Sequence, residues 1–305
     1  MSSIKVKGKE VKKERKKRQV KAIKINIARR TVIVDDKLAF YKKKPIPSWI
    51  ELSIIDVCNK TCSFCPKSDP KIAPNTFQKM GKPLIKKLCR DLKKIKYKGS
   101  VVLCGYGEPM LHNDVYDICD QLSKVSFVEV VTNGDTLNHK TIKRLYISNV
   151  NKLLISLYDG PHQVKKFSEM RKKAEVPKDF VILRDRWYDE KKDYGLKLTN
   201  RAGTINIGIQ DKVEIKKKCY YPSYQMLIDW NGDVFLCPQD WHRKITMGNI
   251  MQENIYNIWT NKIIENYRKK LLCEDRSLSP CNLCNAEGTV LGKNHAQAWN
   301  KIYNL

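Results

Sequence analysis

Eight residues constrain this chain more than any others: Cys58-Asn-Lys-Thr-Cys62-Ser-Phe-Cys65, a C-x3-C-x2-C loop directly after the apolar run Trp49 to Val57. Three thiolates on one short loop suit an iron–sulfur cube, which normally takes four ligands, so one iron is left open to bind something else. A structural zinc would want a fourth Cys or His close by, and no cysteine follows until Cys89, in a helical pattern. The loop therefore fits a cluster better than a zinc ion.

The loop resembles the signature C-x3-C-x-aromatic-C of the radical S-adenosylmethionine enzymes, with Phe64 at the aromatic position beside the adenine. The resemblance implies a 4Fe-4S cluster on Cys58, Cys62 and Cys65 whose open iron is chelated by S-adenosylmethionine. It also implies reductive cleavage of that cofactor to a 5'-deoxyadenosyl radical.

Charge and cysteine usage narrow the setting. Eleven cysteines in an apparently cytoplasmic chain are better metal ligands than disulfide partners, because that compartment is reducing. No run of 18 or so apolar residues suggests a membrane span, and the basic N-terminus lacks the apolar stretch of a signal peptide. Of the net charge of +27, a share of +11 falls between Met1 and Arg30, where 13 Lys or Arg meet two Glu. Residues 1–24 read as a disordered basic tail, either solubilising or a tether for nucleic acid. Residues 25–47 read as an N-terminal arm, with a short strand possible before Pro45 and Pro47.

From there strand and helix patterns alternate: strands at Ile50–Ile55, Ser100–Cys104, Phe127–Thr132, Lys152–Leu157 and Phe180–Leu183, and helices at Phe77–Ile95, Val115–Leu122, Lys140–Ile147 and Val164–Lys173. Ile205–Ile209 is a candidate sixth strand, after a long loop from Arg184 to Arg201. Repeated βα units predict an α/β fold, a partial (β/α)6 TIM-like barrel over residues 48–209. A hairpin around Asn231-Gly232 and a helix over Ile255–Leu272 predict a small domain over 210–290, followed by a C-terminal tail over 291–305.

Parallel barrels place their sites after the strands. Gly105-Tyr-Gly107-Glu108-Pro109 follows the second strand and resembles the Gly-Gly-Glu-Pro motif that holds the cofactor's amino group in this family. Asn133 follows the third strand, and Ser156 resembles the serine that reaches the cofactor's ribose or carboxylate, while Asp159 reads as a turn residue. Arg184 and Arg186 follow the fifth strand, where a guanidinium could clamp the cofactor carboxylate. Arg201, Asp240 and Trp241 are candidates for touching substrate.

Cys219, Cys237, Cys281 and Cys284 supply a full set of four thiolates, enough for a closed cluster or a zinc ion. Their arrangement resembles the twitch domain, a shortened SPASM domain that holds one auxiliary 4Fe-4S cluster. Cys273 is left over, and Cys89, Cys104 and Cys119 read as packing residues. The resemblance implies an oxidoreductase that abstracts hydrogen from a C–H bond of a sugar- or aminocyclitol-like small molecule, drawing electrons from a flavodoxin or ferredoxin. A peptide-modifying maturase is the alternative within the family, and a zinc-containing nucleic-acid-binding protein is the alternative outside it.

Overall fold

The protein is described by a computed structural model covering residues 17, 20–21, 23–186, 198–208 and 210–305. Residues 23–34 form a helix, α1, where an arm or short strand was expected. Its Ile and Val residues favour strands locally, but burial of Ile33 and Val34 against Trp49, Val102 and Tyr224 decides the outcome. Most of the basic run expected to be disordered lies outside the described residues.

A two-stranded hairpin, β1 (Phe40–Tyr41) and β2 (Lys44–Pro45), leads into the main sheet. There β3 (Trp49–Leu52), β4 (Ser100–Leu103), β5 (Phe127–Thr132), β6 (Lys152–Leu157) and β7 (Val181–Asp185) run parallel in chain order. The crossovers are α2 (Lys82–Lys94), α3 (Val115–Ser123), α4 (His139–Ile147) and α5 (His162–Lys173). This is the expected partial barrel. Helix α2 starts later than expected, because Met80 and Gln78 are tied to Ile54 and Asp56 and Pro83 sits in the first turn.

The sixth parallel strand is not Ile205–Ile209, which forms no strand among the described residues. After the short helix α6 (Tyr221–Tyr224), strand β8 (Gln225–Ile228) takes that role on the opposite edge, parallel to β3. Antiparallel β9 (Asp233–Phe235) and β10 (Thr246–Asn249) extend the sheet beyond it, so barrel and auxiliary region share one eight-stranded sheet. The predicted hairpin at Asn231-Gly232 is present, and its first strand also completes the barrel.

Strand alternation sorts the side chains. Ile50, Leu52, Val101, Leu103, Val128, Val130, Leu153 and Ile155 enter the main core, while the residues between them, Glu51, Val102, Glu129, Val131, Leu154 and Ser156, face the interior cavity. The helix expected over Ile255–Leu272 is two, α7 (Ile255–Trp259) and α8 (Lys262–Leu272), because Asn261 caps the second by accepting from the N–H groups of Ile263 and Ile264. The expected C-terminal tail is a helix, α9 (Lys293–Tyr303), whose Trp299 is 1% exposed. Arg268 of α8 lies between the rings of Trp259 and Trp299, 4.0 Å from each centroid, and donates to the Pro222 carbonyl.

Candidate active site and auxiliary cysteine cage

A cavity of about 360 Å³ runs through the barrel from the loops that follow the strands down to α1. Cys58, Cys62 and Cys65 all line its loop end, together with Phe64. The loop is folded by its own backbone, Cys65 N–H donating to the Cys62 carbonyl at 2.9 Å. Burial, then repulsion from Cys65 and Cys58, pushes the Cys62 thiol up to about 12, and burial leads the rise at Cys58 and Cys65. Three partly buried thiols with raised pKa values favour a cationic cluster to hold them as thiolates.

The glycines of Gly105-Tyr-Gly107-Glu108 bring the second loop against the first. Gly105 has φ +110, and a Cβ on Gly107 would lie 2.2 Å from the Ile55 carbonyl oxygen and 2.8 Å from that of Val57. Only glycine lets these backbones approach so closely. The resulting cradle opens beside the three cysteines, as a cofactor chelated at the open iron requires.

Glu108 lines the cavity, and burial raises its carboxyl pKa. Its oxygens accept from Thr132 Oγ1 at 2.7 Å, the Asn133 N–H at 2.8 Å and the Met110 N–H at 3.1 Å, so it also ties the β4 and β5 loops together. Asn133 continues that link to the cysteine loop, donating from Nδ2 to Asn59 Oδ1 at 2.8 Å. Pro109 starts a short 3-10 turn and does not line the cavity among the described residues. Asp159, read as a turn residue, accepts from Lys60 of the cysteine loop at 3.1 Å.

Arg184 lies within β7 and not after it, in register with Ser156, and its Nη2 donates to Ser156 Oγ at 2.8 Å. Both line the cavity. Arg186 does not, although burial and then Arg184 lower its pKa to about 10. Among the substrate candidates, Arg201 and Trp241 reach the cavity. Asp240 does not, since its carboxylate accepts from the N–H groups of Lys244 and Ile245 in its own turn. Phe64 meets Tyr158 at 5.5 Å between ring centroids, and the two rings build an aromatic wall.

The sequence reading missed the inner end of the cavity, lined by Arg29, Arg30, Trp49, Glu51, Glu129 and Gln225. A signal was available. Glu51 and Glu129 are charges inside otherwise apolar strands, at the inward position of the pleat.

The other four cysteines gather separately. Cys219, Cys237, Cys281 and Cys284 line one small pocket with Ala202, Leu236 and Arg276. Burial raises all four, Cys219 to about 11, and neighbouring thiols add to the rise at Cys219, Cys237 and Cys281. Arg276, 2% exposed, ties the segments together: Nε donates to the Lys217 carbonyl, Nη2 to that of Lys218, and Nη1 to those of Cys284 and Ala286. Gly288 passes so close to Cys219 that a Cβ there would lie 2.3 Å from its Sγ. Cys273, exposed at the end of α8, is not part of the cage. Among the described residues no group of three or more His, Cys, Asp or Glu forms a site for a single metal ion. A four-iron cube takes its thiolates at separate corners, which suits such wider cages.

Comparison with known proteins agrees with both centres. The family described as "Radical SAM superfamily" matches residues 52–181, and SPASM, an iron–sulfur cluster-binding domain, matches residues 219–285. The chain is 27% identical over 243 residues to the S-adenosyl-L-methionine-dependent 2-deoxy-scyllo-inosamine dehydrogenase of Niallia circulans, covering 78% of this chain and 92% of the relative. The crystal structure of BtrN with AdoMet and 2-DOIA superposes with a TM-score of 0.66 and 25% identity, over 82% of this chain and 98% of that one. The anSMEcpe structure with bound AdoMet shares the fold, with a TM-score of 0.52 and 18% identity over 85% of this chain and 93% of that one. No helix among the described residues is long and apolar enough to cross a membrane. The chain thus carries a radical S-adenosylmethionine domain over residues 52–181, followed by a SPASM-type iron–sulfur cluster-binding domain over residues 219–285.

Proposed function

We propose that this oxidoreductase acts on a polyhydroxylated, aminocyclitol-like small molecule held between the cysteine loop and the inner end of the barrel. One observation carries this reading: a single cavity of about 360 Å³ is lined at once by the three cysteines, the glycine loop and a polar barrel interior. Its volume sits at the small-molecule end of ligand pockets, which span about 300–1,000 Å³. The named substrate class of the 27%-identical relative supports the same choice.

When bound, the cluster and S-adenosylmethionine supply on reduction the 5'-deoxyadenosyl radical that takes hydrogen from the substrate. The chain's residues do the placing. Gly105 and Gly107 open backbone carbonyls to the cofactor's amino group, and Glu108 fixes that loop against Asn133. Ser156 and Arg184 offer donors to its carboxylate or ribose, and Phe64 with Tyr158 walls the adenine. Val102, Val131, Leu154 and Leu227 keep water from the reacting C–H bond. A flavodoxin or ferredoxin in the cytoplasm would supply the electron.

The test is anaerobic reconstitution, iron and sulfide counting, and reduction with S-adenosylmethionine and 2-deoxy-scyllo-inosamine. The expected result is two clusters per chain, 5'-deoxyadenosine, and oxidation of the aminocyclitol. A reconstituted protein that forms no 5'-deoxyadenosine overturns the reading. One that forms it but leaves the aminocyclitol intact overturns the substrate assignment alone.

A further inference from the structure

Helix α1 brings two arginines into the inner end of the cavity, and their partners do not balance them. Arg29 pairs with Glu129 of β5 and donates to Asn26 Oδ1 at 3.0 Å. Arg30 lies 4.1 Å over the Trp49 ring, with a long contact of 3.4 Å to Gln225 Oε1 and no carboxylate partner among the described residues. Gln225 in turn donates to Glu51 Oε1 at 3.1 Å, so that acid is engaged by an amide and not by Arg30. Opposite, Arg184 donates to the Ser156 hydroxyl and has no carboxylate partner among the described residues. Among the described residues at this inner end, three guanidinium groups, those of Arg29, Arg30 and Arg184, therefore face two carboxylates, those of Glu51 and Glu129.

Unused hydrogen-bonding capacity accompanies the charge. Among the described residues, Nε of Arg29, Arg30 and Arg184 is buried without an acceptor. Glu129 is 0% exposed, and its Oε2 has no donor. A fully buried carboxylate oxygen left open beside the cavity calls for a hydroxyl or ammonium donor from a ligand. A buried excess of guanidinium calls for an anion, which planar donors hold strongly. If the cofactor carboxylate takes Arg184, Arg30 still lacks a counter-charge. Mutual repulsion agrees with this, since burial, then Arg30 and Arg184, lowers the Arg29 pKa to about 10.

We infer that the substrate of this site is a polyhydroxylated anion, with its acidic group on Arg30 and a hydroxyl on Glu129 Oε2. This rests on the reading above and adds an acidic group, carboxylate or phosphate, to the aminocyclitol-like polyol, so that unsubstituted 2-deoxy-scyllo-inosamine is oxidised but bound more weakly than an acidic derivative of it. Arg30 is then a specificity-determining residue delivered by a segment outside both matched domains, residues 52–181 and 219–285.

The experiment is calorimetric titration of the reconstituted, unreduced protein with S-adenosylmethionine present, so no turnover is needed. The probes are gluconate, glucose 6-phosphate, glucose and glucosamine. At least one anion should bind about tenfold tighter than the neutral and cationic sugars. Gluconate alone identifies a carboxylate, glucose 6-phosphate alone a phosphate. Arg30→Gln should remove that preference at unchanged iron content, and Arg30→Lys should restore part of it. Glucose or glucosamine binding as tightly as both anions, no anion binding, or equal anion affinity in wild type and Arg30→Gln overturns the inference. Should Arg30→Gln lose its iron, the four-probe comparison on the wild type and Arg30→Lys decides. Failure of the oxidoreductase reading is seen separately, as absent 5'-deoxyadenosine on reduction.

Discussion

The two cysteine sites of this protein are built on opposite plans. Cys58, Cys62 and Cys65 come from one eight-residue loop and face a cavity of about 360 Å³ shared with glycines, an aromatic wall and a charged interior. Cys219, Cys237, Cys281 and Cys284 come from three separated segments, and the pocket they line has room for only about 20 Å³. A local loop can hold a cluster while leaving one side free for a reactant. A set gathered across the fold surrounds its cluster and welds those segments together. Chemistry at a free iron belongs to the first plan, and electron storage or structural support to the second.

Removing each set of thiols tests that division at its widest. Cys58→Ala, Cys62→Ala and Cys65→Ala together should abolish 5'-deoxyadenosine formation while one cluster's iron and sulfide remain. Retained cleavage would place the open iron elsewhere. Cys281→Ala with Cys284→Ala should lower iron by one cluster and abolish substrate oxidation while uncoupled cleavage of S-adenosylmethionine persists. Loss of both activities in soluble protein would show that the sites do not act separately.

Arg276 tests the closed plan without touching a thiol. Its guanidinium satisfies four carbonyls around the cage, so Arg276→Ala leaves buried acceptors unpaired and should cost about 3 kcal/mol of stability. Urea unfolding of the reconstituted protein, with iron content followed in parallel, measures this. The three-cysteine loop is held instead by separate side-chain contacts, Asn133 to Asn59 and Lys60 to Asp159, while Glu108 ties the loops beside it. Glu108→Gln replaces one acceptor oxygen by a donor facing the N–H of Asn133 or Met110, which loosens the cradle without removing a ligand. Affinity for S-adenosylmethionine should fall about tenfold by calorimetry, with cluster iron unchanged. Unchanged affinity would confine Glu108 to folding.

The difference between the sites also explains what the sequence made legible. Local features were readable: the cysteine loop, the glycine loop after β4, Ser156 near the end of β6, and the hairpin at Asn231-Gly232. Each depends on residues within a few positions of one another. What escaped depends on distant pairing. Strand β8 becomes the sixth parallel strand because its register matches β3, across more than 170 residues, and no local pattern distinguishes an edge hairpin from a barrel strand. Helix α1 has the β-branched composition of a strand and is held helical by packing on Trp49 and Tyr224. Arg276 looks like any surface arginine until four carbonyls surround it. Asp240 looked like a substrate contact because its turn partners, Lys244 and Ile245, offer only backbone N–H groups that sequence does not display.

Cys273 gives the smallest expected effect and the strictest test of ligand counting. It sits between two cage segments in sequence, eight residues before Cys281, and chain order alone would allow it to replace a ligand. Geometry argues otherwise. Its N–H ends α8 by donating to the Lys269 carbonyl at 3.1 Å, its side chain is exposed, and it lines neither cavity. The four caged thiols meanwhile line one common pocket that Cys273 does not reach. Cys273→Ala should therefore leave iron, sulfide and 5'-deoxyadenosine formation at wild-type levels. In the reconstituted wild type it should be the cysteine alkylated fastest by iodoacetamide, since ligated thiolates are shielded and buried thiols are inaccessible. Loss of one cluster's iron in Cys273→Ala, or its protection from alkylation until the auxiliary cluster is chelated away, would make Cys273 a ligand and break the four-thiol closure on which the contrast between the two sites depends.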